Sequence, residues 1–161
     1  MREVKIESSL TVYDNYSSFT DVELSLFQSA KEACKRAYAP YSNFYVGAAL
    51  LMDDGKVITG NNQENAVYPC GLCAERVAIF HASSQYPDKT FQSIAITIDY
   101  DRIPIDDIAF PCGSCRQVLF EYESKQPTKI KVYLLGRDEQ VTVLNSVEQL
   151  LPFGFSDKLL S

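Results

Sequence analysis

"YPCGLCAERVAIF", residues 68–80, sets a Cys-x-x-Cys pair, Cys70 and Cys73, directly ahead of a glutamate, Glu75. A second pair, Cys112 and Cys115, follows in "FPCGSCRQV", residues 110–118. Each group stands where a loop turns into a helix: the pattern predicts helices over about 73–83 and 112–124, and Cys112 and Cys115, three apart, share the face of one turn. A helix N-terminus carries about half a unit of positive charge and unpaired N–H groups, which favour thiolate over thiol. These spacings suggest a metal centre, closed by four sulfurs or left open with three. The interval between Cys73 and Cys112 is longer than the ~15–20 residues of a zinc ribbon. A closed site also gives Glu75 no task. In an open site the fourth position takes water, zinc lowers that water's pKa to about 7, and Glu75 stands near enough to accept its proton. Arg76 and Arg116 follow closely behind, where a guanidinium can hydrogen-bond a thiolate sulfur.

Working outward, Thr20 and Glu23 form a capping-box signature for a first helix, in which Leu26, Phe27, Ala30, Ala33, Cys34 and Ala37 fall on one face. "FYVGAALLM" and "KVITG" flank "DDG" and read as a hairpin. "FQSIAITID" is apolar enough to be buried on both faces, and "IKVYLLG" and "QVTVL" supply two more strands. Asn145 and Glu148 suit the cap of a short last helix. The order implies one mixed sheet of five strands covered by helices, a single domain over 20–161 preceded by an arm, 1–19, of no assigned role.

The 161 residues carry a net charge of −6, 46% hydrophobic and 22% charged residues. No apolar run approaches the ~18 residues of a membrane span, and no secretory segment opens the chain, so an intracellular protein is expected. The acidic balance and the lack of clustered Lys and Arg argue against a nucleic-acid partner and favour a small neutral or cationic substrate. Five cysteines without an export signal suggest metal or redox chemistry rather than disulfides. His81 is the sole histidine, which excludes a three-histidine zinc site within one chain.

Cys73-Ala74-Glu75 followed by Pro111-Cys112-Gly113-Ser114-Cys115 is the three-cysteine form of the zinc-deaminase signature. With the flanks "YAPYSNFYVGAALL" (38–51) and "GNNQENAVYPCGLCAER" (60–76), the sequence resembles the small, homotetrameric cytidine deaminases from about Ala30 to Phe155. The resemblance implies a three-layer α/β/α fold with a mixed five-stranded sheet, and one Zn²⁺ per subunit on Cys73, Cys112 and Cys115. It makes Glu75 the proton shuttle and Cys70 a bystander. Asn62 and Glu64, in "NNQEN", would hydrogen-bond the ribose, and Phe44 would pack on the pyrimidine. Ala66, Tyr68 and Phe155 would reach a neighbouring subunit's site in a homotetramer. The implied reaction converts cytidine and deoxycytidine to uridine and deoxyuridine, a step of pyrimidine salvage in the cytoplasm. Phe110 departs from the serine that relatives often carry before "PCGxC".

Rival readings are separable. A deaminase of another cytosine-bearing molecule, such as blasticidin S, would lack the full "NQEN" motif. Free-cytosine and deoxycytidylate deaminases usually present His-x-Glu where this chain has Cys73. A four-cysteine structural module would need Cys70, and a redox protein would hold no zinc.

Overall fold

The computed structural model describes residues 1–99, 108–136 and 139–156. The segment that carries Pro104, between "FQSIAITID" and the third helix, lies largely outside these residues. Helix α1 spans Asp21–Cys34 and begins with the expected capping box: the Thr20 hydroxyl accepts from the Glu23 N–H at 3.3 Å, and the Glu23 carboxylate accepts from the Thr20 N–H at 2.9 Å. Two of the four N–H groups orphaned at a helix start are thereby engaged in one reciprocal unit.

The hairpin pairs β2 (Val46–Met52) with β3 (Val57–Asn61), and Gly55 adopts the left-handed φ of 81° that its turn requires. β4 (Phe91–Ile98) runs antiparallel to β2 and parallel to β5 (Lys131–Leu135), which in turn pairs antiparallel with β6 (Val141–Leu144). A parallel pair needs a long crossover. Helix α3 (Gly113–Ser124) lies in that crossover, as α2 (Ala74–Gln85) lies between β3 and β4.

Among the described residues the sheet has six strands rather than five, in the order β1-β6-β5-β4-β2-β3. The additional one, β1 (Thr11–Tyr13), comes from the N-terminal arm and extends the sheet beyond β6. Three residues give almost no periodic signal. The arm is held by pairing and by aromatic edges, with the Tyr16 and Phe19 rings 5.6 and 5.1 Å from the ring of Phe27.

Pleating assigns the layers. Ala48, Leu50 and Met52 of β2 join α2 and Leu119 of α3 in one core, whereas Ala49 and Leu51 join Leu26, Phe27 and Ala30 of α1 in the other. The result is the expected three-layer α/β/α arrangement. α2 and α3 share one face, so their starts can meet.

The segment after β6 is a short 3-10 turn, Val147–Leu150, capped by Ser146 rather than Asn145. Its anchor is Glu123 in the last turn of α3, 4% exposed. That carboxylate accepts from the N–H groups of Ile130 (2.8 Å) and Val147 (2.9 Å) and from the Ser146 hydroxyl (2.7 Å).

Candidate metal centre and cavity

α2 can lie against β3 because residue 60 has no side chain. A Cβ there would stand 2.4 Å from the Ala74 carbonyl oxygen and 2.5 Å from the Ala78 nitrogen. This contact brings the first turn of α2 onto the sheet and positions Cys73, its N-cap, and Glu75, in its first turn. Cys112 is likewise the N-cap of α3, and Cys115 is fully buried in that helix's first turn. Neither side chain caps a backbone N–H of its own helix, so both sulfurs can face a common centre.

Among the described residues, Cys73, Cys112 and Cys115 form the one cluster suited to hold a metal ion, with all three sulfurs within 4.8 Å of one another. Tetrahedral zinc with Zn–S bonds of ~2.3 Å places its sulfurs ~3.8 Å apart. The Sγ atoms of Cys73 and Cys112 are 3.9 Å apart and those of Cys112 and Cys115 3.6 Å apart, so these two spacings match that ion, with the third pair within 4.8 Å. Cys70 is exposed, at the end of the 3-10 turn Tyr68–Cys70, and stands outside the cluster.

The Cys73 thiol is pulled down to about 5, chiefly by a hydrogen bond from Cys115, then by Arg76 and Cys112, against the opposing effect of burial. Cys115 is pushed up by the same bond, by burial and by the negative charges of Glu75 and Cys73. Arg76 donates to Cys73 Sγ at 3.7 Å. Arg116 differs from the sequence expectation: its guanidinium donates to the carbonyls of Pro111 (2.8 Å) and Leu150 (3.3 Å), so it ties the loop before α3 to the C-terminal turn instead of serving a sulfur.

Glu75 is 4% exposed. Burial, helped by the charge on Cys73, pushes its carboxyl up to about 6, while its own N–H, the Cys115 thiol and Arg76 act in the other direction. A carboxyl poised near neutrality can both take and return a proton.

Glu75, Arg76, Cys73 and Cys112 line one cavity of about 630 Å³ together with Phe44, Asn62, Glu64 and Tyr68. Such a volume suits a small organic ligand. Phe110 also lines it, beside Ile96 and Ile98. Ala66 and Phe155 do not belong to this lining. Phe155 is held on α3 by Gln117, whose side chain donates to its carbonyl (2.8 Å) and accepts from its N–H (3.3 Å).

The "NQEN" stretch has a second task that the sequence did not announce. Asn62, 8% exposed, accepts from the Val46 N–H and donates to the Phe44 carbonyl, both at 2.7 Å, and so fastens the start of β2. Each end of its amide keeps one further bonding position. Glu64 accepts from the N–H groups of Tyr41 (2.9 Å) and Ser42 (3.3 Å) and from the Ser42 hydroxyl.

Comparison with known proteins agrees with this geometry. Residues 21–130 match the family model described as the cytidine and deoxycytidylate deaminase zinc-binding region. The chain is 44% identical over 131 residues to a cytidine deaminase of Halalkalibacterium halodurans, covering 81% of this chain and 92% of that one. It is 40% identical over 141 residues to a cytidine deaminase of Sporosarcina psychrophila, covering 88% and 96%. The crystal structure of cytidine deaminase from Burkholderia pseudomallei is similar at a TM-score of 0.72 and 41% identity, covering 85% of this chain and 100% of that one. A zinc-shaped sulfur trio beside a buried carboxylate, and relatives matched over nearly their whole length, lead to one conclusion: the chain belongs to the zinc-binding cytidine and deoxycytidylate deaminase family.

Proposed function

We propose that this chain catalyses the hydrolytic deamination of cytidine and deoxycytidine, giving uridine or deoxyuridine and ammonia, as a homotetramer acting in cytoplasmic pyrimidine salvage. The observation that carries this reading is Glu75, a buried carboxyl lining the same cavity as Cys73 and Cys112 of the cysteine cluster. The metal ligands are Cys73, Cys112 and Cys115, and zinc, when bound there, supplies a Lewis acid that allows water to ionise near neutral pH.

Glu75 accepts the proton of the attacking water and delivers it to ring nitrogen 3, which makes carbon 4 electrophilic. After water's oxygen adds to carbon 4, the same carboxyl carries the second proton to the amino group, and the C–N bond breaks with loss of ammonia. Water thus contributes its oxygen to the ring and both its hydrogens to proton transfer through one side chain. Burial supports this role, because a carboxyl near 6 is a stronger base than an exposed one and still a competent acid.

Phe44 would stack on the pyrimidine, and Asn62 and Glu64 would accept and donate around the sugar hydroxyls. A carboxylate there disfavours a phosphate, which favours nucleosides over nucleotides. Ala66, Tyr68 and Phe155 are exposed and suit contact with a neighbouring copy.

The test is to follow ultraviolet absorbance of purified, zinc-loaded protein with cytidine, deoxycytidine, cytosine, cytidylate and an oligonucleotide. Turnover of the two nucleosides well above the rest is expected. No turnover of either, with one zinc per chain present, would overturn the proposal.

A further inference from the structure

The turn Tyr41–Phe44 leads into β2 and forms a wall of the cavity. Within it Asn43 has a φ of 55°, a left-handed conformation that asparagine tolerates better than most residues but that needs support. The support comes from Ser42. Its hydroxyl oxygen accepts from the Phe44 N–H at 3.0 Å, closing the turn across Asn43, while its hydroxyl hydrogen is donated to Glu64 Oε1. Glu64 Oε2 is occupied separately, by the Tyr41 and Ser42 N–H groups.

The two carboxylate oxygens are therefore held in different ways. Backbone N–H groups fix Oε2 whatever side chain stands at 42. Among the described residues, Oε1 is fixed by the Ser42 hydroxyl alone. A carboxylate offers about four acceptor positions, and three are spent here, so about one remains for a ligand hydroxyl. Its direction depends on the plane of the carboxylate, and that plane is set by the Oε1 contact. These bonds also keep the carboxyl below its ordinary range, with the Ser42 hydrogen bond contributing most, so the group stays an acceptor.

We infer that Ser42 is a positioning residue for sugar recognition: one hydroxyl orients Glu64 and at the same time locks the backbone that carries Phe44. This deepens the proposed function and rests on its reading that Glu64 meets a sugar hydroxyl. A merely structural serine would affect every substrate alike. A positioning serine acts on substrates in proportion to the hydroxyls they carry.

The experiment compares kcat and KM for cytidine and 2′,3′-dideoxycytidine in the wild type and in Ser42→Ala, Ser42→Thr and Glu64→Gln. Thermal melts and zinc content confirm that each variant is folded and loaded. Loss of one hydrogen bond to a charged group is expected to lower kcat/KM for cytidine about tenfold. The loss should fall mainly in KM, because the contact is made equally in ground and transition states. The dideoxy substrate should lose only what the loosened Phe44 turn costs both substrates, so the preference for cytidine still shrinks by most of that tenfold. Thr, which keeps the hydroxyl, should restore most of it.

An equal loss for both substrates in Ser42→Ala overturns the inference, as does an unchanged preference while Glu64→Gln collapses it. If Glu64→Gln itself leaves the preference intact, the sugar-reading role of Glu64 falls and the inference falls with it. Absence of cytidine turnover in the loaded wild type would instead defeat the proposed reaction, before any variant is made.

Discussion

Gly60→Ala is the substitution that most directly probes how the sheet builds the metal centre. The added Cβ would lie 2.4 Å from the Ala74 carbonyl oxygen and 2.5 Å from the Ala78 nitrogen, both in the backbone of α2. Non-bonded heavy atoms settle near 3.5 Å, so the first turn of α2 must retreat by roughly 1 Å. Neither obstacle is a flexible side chain, and the cost should be that of an overpacked core, ~1–3 kcal/mol. In a domain of this size the melting point then falls by roughly 2–12 °C.

The displaced turn carries Cys73 and Glu75, whereas Cys112 and Cys115 stay with α3. The sulfur spacing of 3.9 Å is therefore lost, and zinc retention against a chelator should weaken. Misplacing a catalytic group by ~1 Å lowers turnover ~100-fold. Gly55→Ala is the control. Its φ of 81° makes alanine unfavourable, yet nothing lies within 4 Å of the new Cβ, so it should cost about 1 kcal/mol with zinc retention and turnover unchanged. Melts, chelator competition and initial rates on both variants provide the assay. Gly60→Ala with wild-type zinc retention and turnover would refute the claim that this contact sets the site.

Three further outcomes are expected. Cys70→Ala should leave zinc at one per chain and the melting point unchanged, because its sulfur stands outside the cluster; metal analysis and a melt check this. Glu123→Leu should lower stability by ~2–4 kcal/mol in urea unfolding, because the buried N–H groups of Ile130 and Val147 lose their acceptor. Glu23→Gln should flatten the acid limb of the stability curve. Burial by itself would raise the Glu23 carboxyl, but bonds from Tyr133 and Thr20 and the charge of Lys131 outweigh it and bring it below its ordinary 4.5. A lowered carboxyl contributes stability that is complete above 4.5 and is lost as pH falls through the folded value, so urea midpoints below pH 4.5 should fall less steeply in the variant.

Features written in local sequence were legible beforehand. The Thr20–Glu23 box, the "DDG" hairpin and the two cysteine groups at helix starts each depend on residues within a few positions of one another. What escaped depends on partners far along the chain. Glu123 looks like an ordinary solvated helix charge until residues from 130 and 146–148 fold over it. Arg116 follows a ligand cysteine, which suggested a sulfur partner, but the Leu150 carbonyl reaches it first. β1 is too short to carry a period and exists because β6 offers an unpaired edge. Gly60 reads as strand punctuation, and only the approach of α2 gives it meaning. Asn62 and Glu64 were recognisable as cavity residues, yet their bonds to the Tyr41–Val46 wall required the fold.

The most direct measurement is zinc content and cytidine turnover on one preparation of Glu75→Gln. The amide keeps the shape of the side chain and removes its capacity to carry protons, while the three sulfurs are untouched. One zinc per chain with turnover reduced by at least ~100-fold is the predicted result. Wild-type turnover in that zinc-replete variant would contradict the assignment of Glu75 as the group that moves the protons.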